Sequence, residues 1–153
     1  MKRIKSERGQ SLVELAISLV ILLYLLSGAA EFGILFFQYV QLRDAAQEGA
    51  LYGSLYPPKN AGDTAAINAI KERAQNASFS PIDLKNDPGV VVTVTVTDGK
   101  YCEGGSLKVV VSYPHDVFMP FMTTFIGETM NLSAEVTDTI LTPAPLPSGA
   151  CPP

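Results

Sequence analysis

The dominant feature of the hydropathy pattern is an apolar run over residues 12–37, broken only by Glu14, Ser18, Tyr24, Ser27, Gly28, Glu31 and Gly33. As a helix this run spans about 39 Å at ~1.5 Å per residue, enough to cross a hydrocarbon core of about 30 Å. No proline follows until Pro57-Pro58, so a single helix over residues 10–56 is predicted. A loop at 57–62 leads to a second, amphipathic helix over 65–77, capped by Asp63 or Thr64 and carrying Ile67, Ile70 and Ala74 on its apolar face. Residues 78–89 read as a connection. The period then changes to two. Residues 90–97 alternate valine with threonine, 107–113 form a second such run, and Asp98-Gly99 with Gly104-Gly105 supply the turn between them. A third alternating run covers 130–141, and the proline-rich residues 142–153 cannot continue a sheet interior.

The expected fold class is therefore α+β. A basic leader (1–9) and a long transmembrane helix (10–56) precede a small domain (57–141) with one short helix and a three-stranded antiparallel sheet, and a proline-rich tail (142–153) follows. Two segments of this domain resist a simple reading. Residues 117–126 are strongly apolar and aromatic, which suits either core packed under the sheet or an exposed partner surface. His115-Asp116 follows Pro114 and reads as a turn rather than as part of a catalytic set.

Charge gives the run an orientation. Residues 1–8 hold Lys2, Arg3, Lys5 and Arg8 against Glu7, whereas residues 38–153 hold seven basic and twelve acidic side chains. Basic flanks stay in the cytoplasm, which places the leader inside and the acidic domain outside the membrane. The formal net charge of -4 argues against nucleic-acid binding. One histidine and two distant cysteines offer no metal, cofactor or catalytic set, so no enzyme is expected. Cleavage as a secretory signal near Ser27-Gly28-Ala29 is the competing reading of the run, but it would leave the apolar stretch after Phe32 at an exposed new terminus.

Two polar positions in the run need partners. A carboxylate at mid-membrane costs about 2.5 to 3.5 kcal/mol on insertion scales and less near the interface. Glu14 stands near the start of the helix, where the macrodipole already favours an anion. Glu31 lies seventeen residues further on, about 100° away around the helix, and is expected either to reach the outer interface or to meet a partner's polar group. Ala29 to Gly33 and Gly49 to Gly53 are small-xxx-small spacings that let helices approach, although Gly53 also suits a helix C-cap. Outside the cytoplasm Cys102 and Cys151 are expected to pair, closing a loop of about fifty residues worth roughly 4 kcal/mol by the chain-entropy model.

The junction Arg8-Gly9-Gln10-Ser11-Leu12-Val13-Glu14 resembles a type IV prepilin junction, with glycine closing a short basic leader and glutamate fifth in the mature chain. Together with Glu31-Phe32-Gly33, Leu42 and Asp44-Ala45-Ala46-Gln47-Glu48-Gly49-Ala50, it resembles the N-terminal signature of TadE-like pseudopilins of the tight-adherence (Flp) type IV pilus system. Two positions depart from the pattern: Gln10 stands where many prepilins have phenylalanine, and Gln47 where arginine is common. The resemblance implies a pilin-like fold, cleavage between Gly9 and Gln10 by a prepilin peptidase, and a Glu14 carboxylate that pairs with a neighbouring subunit's amine. It further implies other pilins or pseudopilins, the inner-membrane assembly platform and membrane lipid as partners. An uncleaved membrane-anchored sensor or binding module is the alternative.

Overall fold

The computed structural model describes residues 8–119 and 122–142. The leader residues 1–7, the tail from residue 143 and Cys151 therefore lie outside the described residues. In order, the elements are α1 (Arg8–Leu55), α2 (Thr64–Gln75), β1 (Val91–Val96), β2 (Ser106–Asp116), α3 (Thr123–Ile126) and β3 (Thr129–Thr139). The expected long helix, short helix and three-stranded antiparallel sheet are all present, with α3 in addition.

The chain divides into two compact units. One comprises the described residues of 1–34 and of 116–130; the other comprises 35–115 and the described residues from 131 onward.

The second unit is a small α+β domain. Its sheet has the order β1-β2-β3, and β1 pairs antiparallel with β2 from Val91 opposite Ser112 to Val96 opposite Leu107. On the other side of β2, Gly104 N–H donates to Ile140 and Ile140 N–H donates back to Gly105. Lys108 and Glu135 form an ion pair across β2 and β3. Period-two alternation puts Val92 of β1, Leu107, Val109 and Val111 of β2 and Ala134 of β3 on the buried face, while Thr93 and Thr95 stay exposed.

That face is covered by the C-terminal part of α1 and by α2. Leu42, Ala45, Ala46 and Ala50 of α1 are fully buried and recur at helical spacing, joined by Ile70 and Ala74 of α2 and by Ile82 and Leu84. Small side chains on α1 set the close approach. A Cβ on Gly49 would stand 3.1 Å from Ala74 Cβ and 3.3 Å from Val109 Cγ1, and one on Gly53 would stand 2.8 Å from Leu107 Cδ2. The helix runs past Gly53 to Leu55, so this glycine makes room for β2 and does not cap the helix.

Polar contacts fix the connections. Gln41 is 6% exposed, and its side-chain amide meets the backbone of Ile82 twice: Nε2 donates to the carbonyl at 2.6 Å and Oε1 accepts from the N–H at 3.0 Å. A buried amide satisfied in this way holds the 78–89 connection against α1. Arg73 of α2 donates to Glu48 of α1 at 2.9 Å, an exposed pair worth about 0 to 1 kcal/mol. Of the two expected caps, Asp63 and Thr64, it is Asp63 that caps α2, accepting from Lys59 N–H at 3.1 Å and Ala66 N–H at 3.2 Å, and these donors lower its pKa. Asp98 bridges the β1–β2 turn in the same manner, its pKa lowered chiefly by the Lys100 N–H and further by that of Ser106. Both carboxyls therefore contribute stability above the usual aspartate range and lose it as the pH falls through their lowered values.

Of the three strands, β2 runs beyond its expected ends at 107 and 113, whereas β1 and β3 stop short of residues 97 and 141. His115, expected in a turn, lies inside β2 and is 4% exposed. The physical reason is local: β1 pairing stops at Ser112, so Pro114 sits on a stretch of β2 with no β1 neighbour to receive the N–H it lacks.

Candidate functional site

The N-terminal part of α1 is apolar around its whole circumference. Leu12, Val13, Leu15, Ile17, Leu19, Val20, Ile21, Leu22, Leu25 and Leu26 are each more than half exposed, a pattern that suits lipid and not water. The helix qualifies as a candidate membrane span by length and composition, with 6% of its most apolar window buried. Its length, about 72 Å at ~1.5 Å per residue, exceeds what a bilayer needs, and the remainder forms the buried face described above.

Gly9 and Gln10 occupy the first turn of α1. A Cβ on Gly9 would meet nothing within 4 Å, and Gln10 is exposed, so the rest of the described chain leaves the junction backbone open. Glu14 is exposed and lies four residues after Gln10, which places the two one helical turn apart on the same face. If the peptide between Gly9 and Gln10 is cut, a new α-amine and a carboxylate share that face.

Glu31 is in a different situation. It is 1% exposed within the apolar run, and its carboxylate accepts from two backbone N–H groups of its own chain: Phe118 at 3.2 Å and Met119 at 3.0 Å. Two amide donors from consecutive residues suit the two carboxylate oxygens. The contact spans eighty-seven residues of sequence, and neither of the alternatives expected for Glu31 foresaw it. One turn earlier, Met122 lies over Gly28, with its sulfur 3.4 Å from where a Cβ would be. The Ser27 hydroxyl is buried there with no hydrogen-bond partner among the described residues.

The segment that supplies these donors was expected either in the core under the sheet or as a partner surface. Its described residues belong to the unit formed with residues 1–34 and not to the core under the sheet, and Phe118 is 76% exposed and Ile126 40% exposed.

The remaining sites can be placed briefly. Ala29 is exposed and a Cβ on Gly33 would meet nothing within 4 Å, so that small-xxx-small pair faces open space. Gly49 and Gly53 instead admit α2 and β2 of their own chain. Cys102 is 3% exposed in the β1–β2 turn, and its expected partner Cys151 lies outside the described residues. Among the described residues no three His, Cys, Asp or Glu side chains gather as a metal site.

A family model described as TadE-like protein matches residues 9–51, in agreement with the resemblance read from the sequence. Neither a search of curated proteins nor one of solved structures returned a match.

Proposed function

We propose that this chain is a pseudopilin of the TadE-like kind, acting in assembly of tight-adherence type IV pili. The observation that carries the reading is the coincidence of the family match over residues 9–51 with an open Gly9–Gln10 junction at the head of an exposed apolar helix. In this reading the basic leader lies in the cytoplasm and the α+β domain outside the inner membrane. A prepilin peptidase cuts after Gly9. The Gln10 amine then lies one turn from Glu14, and amine and carboxylate of neighbouring subunits neutralise each other, the condition under which a charge in a low-dielectric environment is tolerated. The partners are other pilins or pseudopilins, the assembly platform and lipid.

N-terminal sequencing of the protein purified from membranes tests the proposal and should give Gln10. Met1 would indicate an uncleaved anchored module, and Ala30 a domain released by signal peptidase. Gly9→Trp should abolish processing, because a bulky side chain does not fit the small position before the scissile bond. A processed mass in that variant would overturn the prepilin assignment.

The expected bridge gives a separate prediction. If Cys102 and Cys151 pair outside the cytoplasm, Cys102→Ser and Cys151→Ser should each lower stability by up to about 4 kcal/mol. The double variant should be no worse than either, since both lose the same bond. Two thiols reactive in the unreduced, intact protein would sink the pairing.

A further inference from the structure

The membrane reading of α1 explains residues 12–26 but leaves a second apolar surface on a different part of the chain. Phe118 and Ile126 are exposed at 76% and 40%, with Val117, Met119 and Met122 half-buried beside them. Such a patch on a free aqueous loop is unfavourable, because each exposed apolar side chain keeps its hydration cost. Its placement is specific. Phe118 and Met119 donate their N–H groups to Glu31, and Met122 covers Gly28, so these three residues lie against α1 at Glu31 and Gly28.

Both anchor points fall inside the apolar run of residues 12–37. Counting from Leu12 at ~1.5 Å per residue, Glu31 stands about 28 Å along the helix, at the far boundary of a hydrocarbon core of about 30 Å. Around it the helix surface remains greasy, with Phe32 68% exposed and Leu26 58% exposed. A segment held at this level meets lipid on its outer side.

We infer that Val117, Phe118, Met119, Met122 and Ile126 form a lipid-inserting clasp seated in the outer interface of the bilayer, held to α1 by Glu31. The occupant of the exposed patch is the lipid itself. Aromatic and aliphatic side chains are favoured at this depth. The arrangement also accounts for a carboxylate in the span: Glu31 is shielded by the clasp and satisfied by two amides, and the clasp's N–H groups are satisfied in turn. Glu31 acts here as a positioning residue. The inference rests on the membrane reading of α1 and adds a second element to the membrane-embedded surface.

The chain contains no tryptophan, so single tryptophans report without background. Three full-length variants, Phe118→Trp, Leu22→Trp and Phe79→Trp, are to be reconstituted in phosphatidylcholine–phosphatidylglycerol vesicles that contain lipids brominated either near the headgroup or near the chain end. Phe118→Trp should emit to the blue and be quenched most strongly by bromine near the headgroup. Leu22→Trp should be quenched by deep bromine, and Phe79→Trp, on the 78–89 connection, should not be quenched. Loss of quenching at Phe118→Trp with Leu22→Trp still quenched overturns the clasp and leaves the span intact. An unquenched Leu22→Trp overturns the span, and the clasp with it. Blue emission at Phe118→Trp that depends on protein concentration and ignores bromine assigns the patch to a protein partner and refutes the lipid occupant. In the Phe118→Trp background, Glu31→Ala should shift emission to the red and reduce quenching, whereas Glu31→Gln, which keeps one carbonyl acceptor, should retain part of it. Unchanged quenching in Glu31→Ala would refute the positioning role.

Discussion

Glu14→Ala should insert into the membrane at least as well as the native chain and yet fail to enter pili. The expectation combines two opposed electrostatic terms. Within a single subunit the carboxylate is a liability, since an ionised side chain in the span carries a desolvation cost of about 2.5 to 3.5 kcal/mol at the centre and less towards the interface. Alanine removes that cost, so membrane fractionation should show no loss. In an assembly the same carboxylate has a function only if an amine reaches it, and Glu14 is exposed on α1, four residues beyond Gln10. Its replacement leaves the neighbour's amine buried and uncompensated, which for a buried pair costs about 3–5 kcal/mol. At that magnitude incorporation should be lost and not merely reduced. Recovery of sheared pili containing the Glu14→Ala subunit at the native level would return Glu14 to a plain interfacial role, stabilised by the helix macrodipole.

Gly49→Leu should unfold or severely destabilise the α+β domain, while Gly33→Leu should leave it unaffected. Gly49 lies where α1 meets both α2 and β2, with Ala74 Cβ 3.1 Å, Val109 Cγ1 3.3 Å and the Ile70 carbonyl 3.6 Å from any Cβ placed there. Alanine would need shifts of a few tenths of an ångström and would gain about 0.5–1 kcal/mol of helix preference over glycine, so Gly49→Ala should be close to neutral. Leucine has three further carbons and no space for them, because Ala74 and Val109 are fully buried. Overpacking of this kind costs about 1–3 kcal/mol and occasionally more. Leu42→Ala, a cavity at a fully buried site on the same helix, provides the scale at about 2–5 kcal/mol. Urea midpoints of the four variants in one detergent should rank Gly33→Leu and Gly49→Ala with the native protein and the other two well below. A native midpoint for Gly49→Leu would mean that α2 does not pack on α1 as described.

The motif Asp44-Ala45-Ala46-Gln47-Glu48-Gly49-Ala50 shows how one stretch of sequence carries two kinds of information. It served as part of a family signature, and in the structure its small residues are the platform on which the domain is built: Ala45, Ala46 and Ala50 are fully buried and Gly49 admits its neighbours. The small-xxx-small spacing at Gly49 and Gly53 was read as room for another helix, and in the structure α2 and β2 of the same chain stand there. Spacing on a helix reports the width of a groove, whereas the element that fills it is set by the rest of the chain.

What the sequence by itself determined are the features that follow from local periodicity and length. An apolar run long enough for a bilayer, the Val–Thr alternation of residues 90–97, the turn glycines, two of which adopt positive φ at Gly99 (70°) and Gly104 (83°), and the Asp63 cap each express the preference of a few adjacent residues. Tertiary structure alone decided where Phe118, Met119 and Met122 go and what becomes of Glu31. An apolar segment can be buried by a sheet or by a helix with similar gain, because the hydrophobic effect is non-directional. The outcome includes hydrogen bonds between residues eighty-seven and eighty-eight apart, in which a buried carboxylate accepts from the backbone N–H groups of Phe118 and Met119. Pairings at that separation leave no periodic trace in the chain.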